Sequence, residues 1–424
     1  MILSKFGEKM TQKSGILQLM DDLGNALQSD KPINMLGGGN PAVIPAANRI
    51  FQQVFQSLGD GFLHSAGNYS TPQGDKAFLL ALADFLNRHY DWNISEKNIA
   101  LTNGSQNAFF CLFNLFSGRY SDGSSKNILL PLAPEYVGYA DVHTEGNYFV
   151  AGKPGIELLD YTTAAGEVVD GFFKYHVDFA TLPIDDSIGA ICCSRPTNPT
   201  GNVLTDAEMA KLARLASDNN IPLIVDNAYG MPFPSIIFGD ATLTWDSNTI
   251  MCLSLSKIGL PGLRTGIVVA NEAVIQALSS LNAIVNLAPT RLGAAIAAPL
   301  LQDDRMKTLA EEHIRPFYRQ KVDYAIRLLK EAFADIPLKI HHPEGAIFLW
   351  LWFPELPITT FELYQQLKSA GTIILPGEYF FPGTDNLAAY RHAHECIRMS
   401  YAQSDETLQK GIAQMAEFVR RAYA

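Results

Sequence analysis

Apolar and amphipathic stretches alternate along residues 46–281. Runs of consecutive apolar residues predict strands that are buried on both faces, and apolar positions spaced three and four residues apart predict helices. The predicted strands are 99–101, 127–130, 148–151, 188–193, 222–225, 250–254 and 266–270, and the predicted helices are 46–58, 76–89, 105–116, 206–219 and 273–281. This alternation predicts an α/β fold in which helices cover both faces of a mostly parallel sheet.

After about residue 290 the pattern changes. A long helical stretch is followed by predicted strands at 338–341, 346–353, 372–375 and 396–400 and by predicted helices at 360–370 and 405–423. We therefore predict a large domain over residues 46–300 and a smaller C-terminal α+β domain over 301–424. The N-terminal segment, residues 1–45, is expected to join the small domain.

Composition narrows the classes of partner. The 424 residues carry a formal net charge of −11 without a run of Lys or Arg, which disfavours nucleic acid and anionic membranes as partners. The five cysteines show neither disulfide nor zinc spacing, and the N-terminus lacks the apolar stretch of a signal peptide. No uncharged apolar stretch reaches 18 residues, so no transmembrane helix is expected. We predict a soluble cytoplasmic protein.

The segment from Ser254 to Gly266 combines a lysine with groups that bind anions. Ser254 and Ser256 precede Lys257 closely, and Arg264 follows it by seven residues. Serine hydroxyls and an arginine fork suit a phosphate, while a lysine amine can form a Schiff base with a cofactor aldehyde. The segment predicts a pyridoxal 5'-phosphate (PLP) site with Lys257 as the Schiff-base lysine, although a surface loop is the alternative when it is taken alone.

Two upstream motifs favour the PLP interpretation. An apolar strand ends in Asp226, whose carboxylate would keep the pyridine nitrogen of PLP protonated, and Tyr229 could donate its phenol to the ring oxygen. Another apolar strand precedes a proline-rich turn in which Asn198 is a second possible donor. A turn asparagine and a strand-end cap are the structural alternatives. The order Asn198, Asp226, Lys257 is difficult to obtain by accident.

With these motifs the chain resembles the fold-type I PLP aminotransferases of the aspartate aminotransferase superfamily over nearly its whole length. The matching positions beyond those above are Gly39–Asn40–Pro41, 69–74, 102–106, Tyr136 and Arg398. A closer resemblance, to the subgroup that transaminates between valine and pyruvate, rests on 34–41, 100–106, 131–136, 194–201 and 345–353. Many members of the superfamily place the phosphate arginine eight residues after the lysine. The spacing of seven found here also occurs within it.

The resemblance implies further roles. Gly104, Ser105 and Gln106 would bind the phosphate at a helix N-terminus, although Ser105 could be only a helix cap. Tyr136 would stack on the pyridine ring. Tyr69 would reach the phosphate of the neighbouring subunit, which implies a homodimer with shared active sites.

Arg398 lies in an otherwise apolar strand. A buried arginine needs an anionic partner, and a substrate α-carboxylate would supply one, with a structural ion pair as the alternative. Gly39 and Asn198 are the other expected substrate-binding residues. His392 and His394 superficially resemble a metal cluster, but no second cluster matches them and we expect no metal.

The resemblance implies transamination between an amino acid and a 2-oxo acid. Lys257 would act as general base and acid, and Asp226 and Tyr229 would assist it at the cofactor ring. The expected reaction is L-valine plus pyruvate to 3-methyl-2-oxobutanoate plus L-alanine. Phe348, Trp350 and Trp352 could form an apolar wall, although core packing explains them equally well. A carbon–sulfur lyase and an aminotransferase with another donor remain alternatives. A PLP-domain transcription regulator would normally carry a basic helix-turn-helix domain before this homology, for which we expect no room, and a catalytically silent binding protein would be expected to lose Lys257.

Overall fold

A computed structural model describes residues 2–12, 14–28 and 32–424 of the chain. Its central sheet has eight strands, and most neighbouring pairs are parallel. In spatial order the strands are Ile99–Thr102, Gly266–Val269, Thr249–Ser254, Leu223–Asp226, Ile188–Ser194 and Ser125–Leu130, and the last of these pairs with both Phe149–Ala151 and Gly118–Arg119. Gly266–Val269 runs antiparallel to both of its neighbours. The predicted α/β fold with a mostly parallel sheet is confirmed.

Helices cover both faces of this sheet. Along Ile188–Ser194, Ala190 and Cys192 belong to one apolar cluster and Ile191 and Cys193 to another, because successive side chains of a strand point to opposite faces. The first cluster contains residues of helices Ser105–Phe116 and Glu272–Asn286, and the second contains residues of Lys76–Tyr90 and Asp206–Asp218. The continuous apolar run of the strand is thus explained by burial on both sides.

A six-stranded second sheet lies mainly in the C-terminal part of the chain. Its strands in spatial order are Leu375–Pro376, Cys396–Ser400, Phe348–Trp352, Lys339–His341, Val168–Val177 and Pro154–Thr162. The last two form an antiparallel hairpin that the sequence analysis did not predict, and Val168–Val177 pairs in parallel with Lys339–His341. The hairpin lies within the range 46–300 assigned to the large domain, yet its strands belong to the second sheet. The boundaries of the domains stay a prediction.

The N-terminal segment contacts the C-terminal part of the chain. Asn34–Met35 forms a parallel pair with Thr372–Ile373, and the backbone N–H of Ser400 donates to the carbonyl of Leu36 at 2.6 Å. These contacts bring the glycines that follow Leu36 beside the second sheet, where they help to form the candidate site.

The remaining helices connect and cover these sheets. They are Lys5–Met10, Gly15–Gln28, Pro45–Ser57, Gly61–Gly67, Leu292–Gln302, Arg305–Thr308, a π-helical Leu309–Ile314, Arg315–Ala332, Thr360–Ser369, Arg391–His394 and Asp405–Tyr423, with short 3₁₀ turns at Glu96–Asn98, Val137–Tyr139, Pro261–Leu263, Gly377–Phe380 and Leu387–Ala389. Within the described ranges, no helix combines the length and the apolar character needed to cross a membrane.

Candidate active site

The candidate site lies at the carboxyl edge of the central sheet. Asp226 is the last residue of one strand, and Ser194 and Ser254 end the strands on either side of it. Parallel strands deliver their C-terminal residues to the same edge, so three polar side chains meet there although they are distant in sequence.

Lys257 follows the strand Thr249–Ser254 and reaches the N-terminal segment. Its Nζ donates to the carbonyl of Gly39 at 2.7 Å and lies 5.2 Å from the centre of the Tyr229 ring. Burial lowers the pKa of this amine to about 8, and the positive charges of Arg398 and, less strongly, Arg264 contribute to the decrease. A lowered pKa increases the fraction of neutral amine, which is the nucleophilic form.

Asp226 is held by two donors. The hydroxyl of Tyr139 donates to its Oδ2 at 2.7 Å, and the backbone N–H of Ala228 donates to its Oδ1 at 3.1 Å. Burial raises the pKa of the carboxyl, whereas these hydrogen bonds and the charge of Lys257 act in the opposite direction. The sequence analysis missed Tyr139, whose spacing from Asp226 carries no local signal.

A second group of residues surrounds the guanidinium of Arg398. Its Nη1 donates to Oδ1 of Asn198 at 2.8 Å, its Nη2 donates to the carbonyl of Gly37 at 2.6 Å, and its Cζ lies 4.0 Å from the centre of the Phe348 ring. The side chain is 1% exposed, and its Nε has no hydrogen-bond partner in the described part of the chain. Nor does any acidic side chain there form an ion pair with it. The predicted alternative, a structural ion pair, is therefore not observed.

Gly39 separates this group from Lys257. A Cβ atom at position 39 would lie 3.9 Å from Nζ of Lys257 and 4.0 Å from Cζ of Phe348. The glycine thus leaves space between the amine and the aromatic ring, beside the buried guanidinium.

The turn after the strand Ile99–Thr102 fits a phosphate. Gly104 adopts a positive φ of 87° directly before the helix Ser105–Phe116, and a Cβ there would overlap the guanidinium of Arg264. The side chain of Arg264 therefore occupies the place next to the helix N-terminus that a glycine leaves open. Nearby, the backbone N–H of Ser256 donates to Oγ of Ser254 at 3.1 Å, and Oγ of Ser105 donates to the carbonyl of Leu253 at 3.5 Å.

The other predicted residues have the following surroundings. Tyr136 packs edge-to-face on Tyr139, with ring centres 5.4 Å apart, and Nε2 of Gln106 donates to the carbonyl of Gly138 at 2.7 Å. Tyr69 is 81% exposed. The indole N–H of Trp350 donates to the hydroxyl of Tyr175 at 3.0 Å, and that of Trp352 donates to a carboxylate oxygen of Glu395 at 2.9 Å.

His392 and His394 have different partners. His392 Nε2 is 2.5 Å from the hydroxyl of Tyr175, whereas His394 Nδ1 is 3.0 Å from a carboxylate oxygen of Glu378. The two imidazoles thus take part in separate hydrogen bonds.

Comparisons with known proteins agree with this architecture. Residues 174–415 match the family described as aminotransferase class I and II. The chain is 48% identical to the valine–pyruvate aminotransferase of Escherichia coli K12 over 100% of this chain and 99% of that protein. The crystal structure of a putative amino-acid aminotransferase from Psychrobacter arcticum 273-4 has a TM-score of 0.96 and 59% identity, and covers 100% of this chain and 99% of that one.

A second crystal structure, valine–pyruvate aminotransferase AvtA from Salmonella typhimurium LT2, has a TM-score of 0.86 and 48% identity. The similarity covers 96% of this chain and 99% of that chain. Among less similar structures, Thermus thermophilus aspartate aminotransferase with maleate, 22% identical with a TM-score of 0.76, shares the fold. By whole-length similarity and by fold, the chain belongs to the class I and II aminotransferases of fold type I.

Proposed function

We propose that this enzyme is a PLP-dependent aminotransferase that converts L-valine and pyruvate to 3-methyl-2-oxobutanoate and L-alanine. The observation that carries the proposal is the 48% identity, over the whole chain, to a valine–pyruvate aminotransferase. The buried arginine beside a lysine with a lowered pKa supports it, because that arrangement suits an amino acid with a single carboxylate.

The residues of the site fit PLP. Arg264, Ser254, Ser256 and the helix N-terminus at Gly104, Ser105 and Gln106 would bind the phosphate, with Tyr69 of a second subunit. Asp226 would hold the ring nitrogen, Asn198 and Tyr229 the ring oxygen, and Tyr136 would pack on the ring. When bound, PLP supplies an aldehyde that links to amines and a ring that accepts the electron pair left by loss of the Cα proton.

Lys257 has two tasks in this proposal. Its Nζ would hold the cofactor between turnovers, and as a free amine it would take the proton from the substrate Cα and later return a proton. The pKa of about 8 suits this exchange, because a general base works best when its pKa lies near the working pH.

Arg398 would bind the substrate carboxylate, for which its unpartnered Nε provides a donor. Phe348 lies against the same guanidinium and gives the neighbouring space an apolar wall. A side chain with a second carboxylate would bury an unpaired charge there, so valine should be preferred to aspartate. Discrimination between valine and other aliphatic donors should be weaker, since one methylene contributes about 1–3 kcal/mol.

The product balance tests the reaction. Purified enzyme is incubated with PLP, valine and pyruvate, and valine, alanine, 3-methyl-2-oxobutanoate and ammonia are measured. We expect one alanine for each valine consumed, no ammonia, and slower reaction with aspartate. Lys257→Ala is the matched control and should lose nearly all turnover. Borohydride reduction should fix the cofactor to Lys257 and to no other lysine.

The same assay separates the alternatives. Ammonia released without any oxo-acid acceptor would identify a lyase, and aspartate reacting faster than valine would remove the proposed specificity. Reduced cofactor on another lysine would contradict the assignment of Lys257.

We further propose a homodimer with shared active sites. Tyr69 is 81% exposed. Two large apolar side chains are also mostly exposed, Leu63 at 68% and Ile284 at 81%. The segment of Tyr69 is joined to the loop after helix Glu272–Asn286, which carries Ile284, by a hydrogen bond from Oγ of Ser70 to the carbonyl of Pro289 at 3.3 Å. Light scattering should give twice the chain mass, and Tyr69→Phe should weaken PLP binding. A fully active monomer would contradict this proposal.

We also propose that the enzyme works in the cytoplasm. All five cysteines are free and buried, including the adjacent Cys192 and Cys193, which suits a reducing compartment. Cell fractionation should recover the activity in the cytosolic fraction.

A further inference from the structure

Three buried side chains behind Asp226 have no part in the proposed reaction. Glu135, Ser194 and Tyr139 are each at most 2% exposed. Ser194 is the register partner of Asp226 in the neighbouring strand, and Glu135 lies in the loop after Ser125–Leu130, its backbone N–H bonded to the carbonyl of Phe380 at 2.7 Å. Together they form a continuous hydrogen-bonded chain, here termed the Glu135 chain, that ends on Asp226.

The contacts of the Glu135 chain allow two directions of hydrogen bonding. The backbone N–H of Ser194 donates to Oε1 of Glu135 at 2.9 Å, and Oγ of Ser194 contacts Oε2 of the same carboxyl. The Tyr139 hydroxyl lies 3.5 Å from Oγ of Ser194 and donates to Oδ2 of Asp226 at 2.7 Å. Each hydroxyl has one proton. With the Tyr139 proton on Asp226, an ionised Glu135 would take the Ser194 proton, whereas a protonated Glu135 would donate to Oγ of Ser194 and allow Ser194 to donate to the Tyr139 oxygen.

Charge favours the protonated form of Glu135. The ionisable groups that face Glu135 are Asp226, Tyr139 and the thiols of Cys192 and Cys193, and no cation in the described ranges forms an ion pair with it. Burial raises the pKa of Glu135 to about 8, the hydrogen bonds from Ser194 act against this, and the charge of Asp226 adds to it. Two buried carboxylates without a cation repel each other, so the one that can lose its charge does so.

We propose that Glu135 is a positioning residue that stays protonated and directs a chain of donors, through Ser194 and Tyr139, onto Asp226. The negative charge is thereby confined to Asp226, the group that would hold the cofactor's ring nitrogen. This inference rests on the proposed function. Glu135 would then be a neutral acid of the site, and its hydrogen bonds would support the negative charge on Asp226.

The first experiment measures the protonation of Glu135 directly. Infrared difference spectra of wild-type protein minus Glu135→Gln are recorded at neutral pH, with and without PLP. The wild-type protein should show the C=O stretch of a buried carboxylic acid that the variant lacks. Loss of carboxylate bands in place of that stretch would overturn the proposal. Because the spectrum can be recorded without PLP, it remains informative even if the wild-type protein fails to link PLP, the result that would contradict the proposed function.

The second experiment compares variants that preserve or interrupt the chain. Glu135→Gln keeps the shape and neutrality and can still accept from the Ser194 N–H and donate to its hydroxyl, so its PLP affinity and the pH titration of its cofactor absorbance should match those of wild type. Tyr139→Phe removes a hydrogen bond to a charged group and should weaken PLP binding by about tenfold or more. Ser194→Ala should weaken it by about threefold.

The conservative variant excludes a purely structural role. Thermal unfolding of the three apo-proteins shows whether each is folded, and only folded variants are compared by absorbance titration. If Glu135→Gln alters PLP affinity or the titration midpoint as much as Tyr139→Phe does, Glu135 acts as a charged group and the proposal is wrong. The proposal is also wrong if neither Tyr139→Phe nor Ser194→Ala changes either quantity.

Discussion

The two arginines of the site lie in opposite environments. Arg264 is exposed on the turn after Lys257, beside Gly104, whereas Arg398 is 1% exposed in the middle of the second sheet. Both are proposed to bind anions, one a phosphate and the other a carboxylate. The phosphate side consists of a short motif and a helix N-terminus, while the carboxylate side is assembled from Gly37, Asn198 and Arg398.

This difference has an energetic consequence. A buried guanidinium without a carboxylate partner is costly, and burial lowers the pKa of Arg398 to about 10. A substrate carboxylate would relieve that cost, so carboxylate binding at the buried Arg398 is strongly favoured. Around Arg264 water screens the charge, and each contact there contributes less.

Asp226→Asn tests whether catalysis depends on the buried carboxylate that would hold the ring nitrogen. The substitution keeps the shape and removes the charge that would hold the ring nitrogen protonated. We expect turnover to fall by about 10²-fold or more, which corresponds to at least ~2.7 kcal/mol of activation free energy. Thermal unfolding should remain close to that of wild type. Unchanged turnover would show that Asp226 only caps the backbone N–H of Ala228.

Arg398→Lys tests the buried anion site. Lysine keeps the charge but loses the planar fork, and its shorter hydrogen-bonding reach leaves Asn198 or Gly37 without a donor. We expect the KM of every amino acid to rise by about 30-fold, which is ~2 kcal/mol, without a change in the order of preference. A change in preference between valine and aspartate would instead indicate that Arg398 contacts the substrate side chain.

Arg264→Gln tests the exposed anion site. We expect the dissociation constant of PLP to increase by about tenfold, or ~1.4 kcal/mol, because one charge-assisted contact to the phosphate is lost. The KM of amino acids at saturating PLP should be unchanged. Added salt should reduce the difference between the variant and wild type, whereas an effect insensitive to salt would contradict the description of this side as screened.

The pH dependence of PLP attachment to Lys257 should differ between variants of the two arginines, and this is the smallest of the expected effects. Because neutral amine attacks the aldehyde, the rate of PLP attachment to the apo-protein should rise about tenfold per pH unit below the pKa of about 8 and become constant above it. Arg264→Gln removes a nearby positive charge, so the pKa should increase and the curve should move to higher pH. Arg398→Lys keeps its charge and should leave the midpoint in place. A shift to lower pH in Arg264→Gln would contradict this explanation.

Helices and strands of the central sheet region could be predicted from the local pattern of apolar and polar residues. The strand Leu223–Asp226 and the helix Asp206–Asp218, with its capping box at Thr205 and Glu208, lie within two residues of their predicted bounds. The hairpin Pro154–Thr162 and Val168–Val177 was missed. Its strands flank the turn around Gly166, but their place in the second sheet depends on pairing with Lys339–His341, which is more than 150 residues away.

The local pattern of the chain predicts which residues meet at the carboxyl edge of the central sheet. Asp226 ends an apolar strand, and Lys257 and Arg264 follow the next one, so strand geometry brings them to one edge whatever the rest of the chain does. The contacts of Arg398 with Asn198 and Gly37, and the connection from Glu135 to Asp226, are visible only in the folded protein. Those contacts join segments 200, 361 and, through Ser194, 59 residues apart, and no local spacing encodes them because they depend on how whole sheets and loops pack.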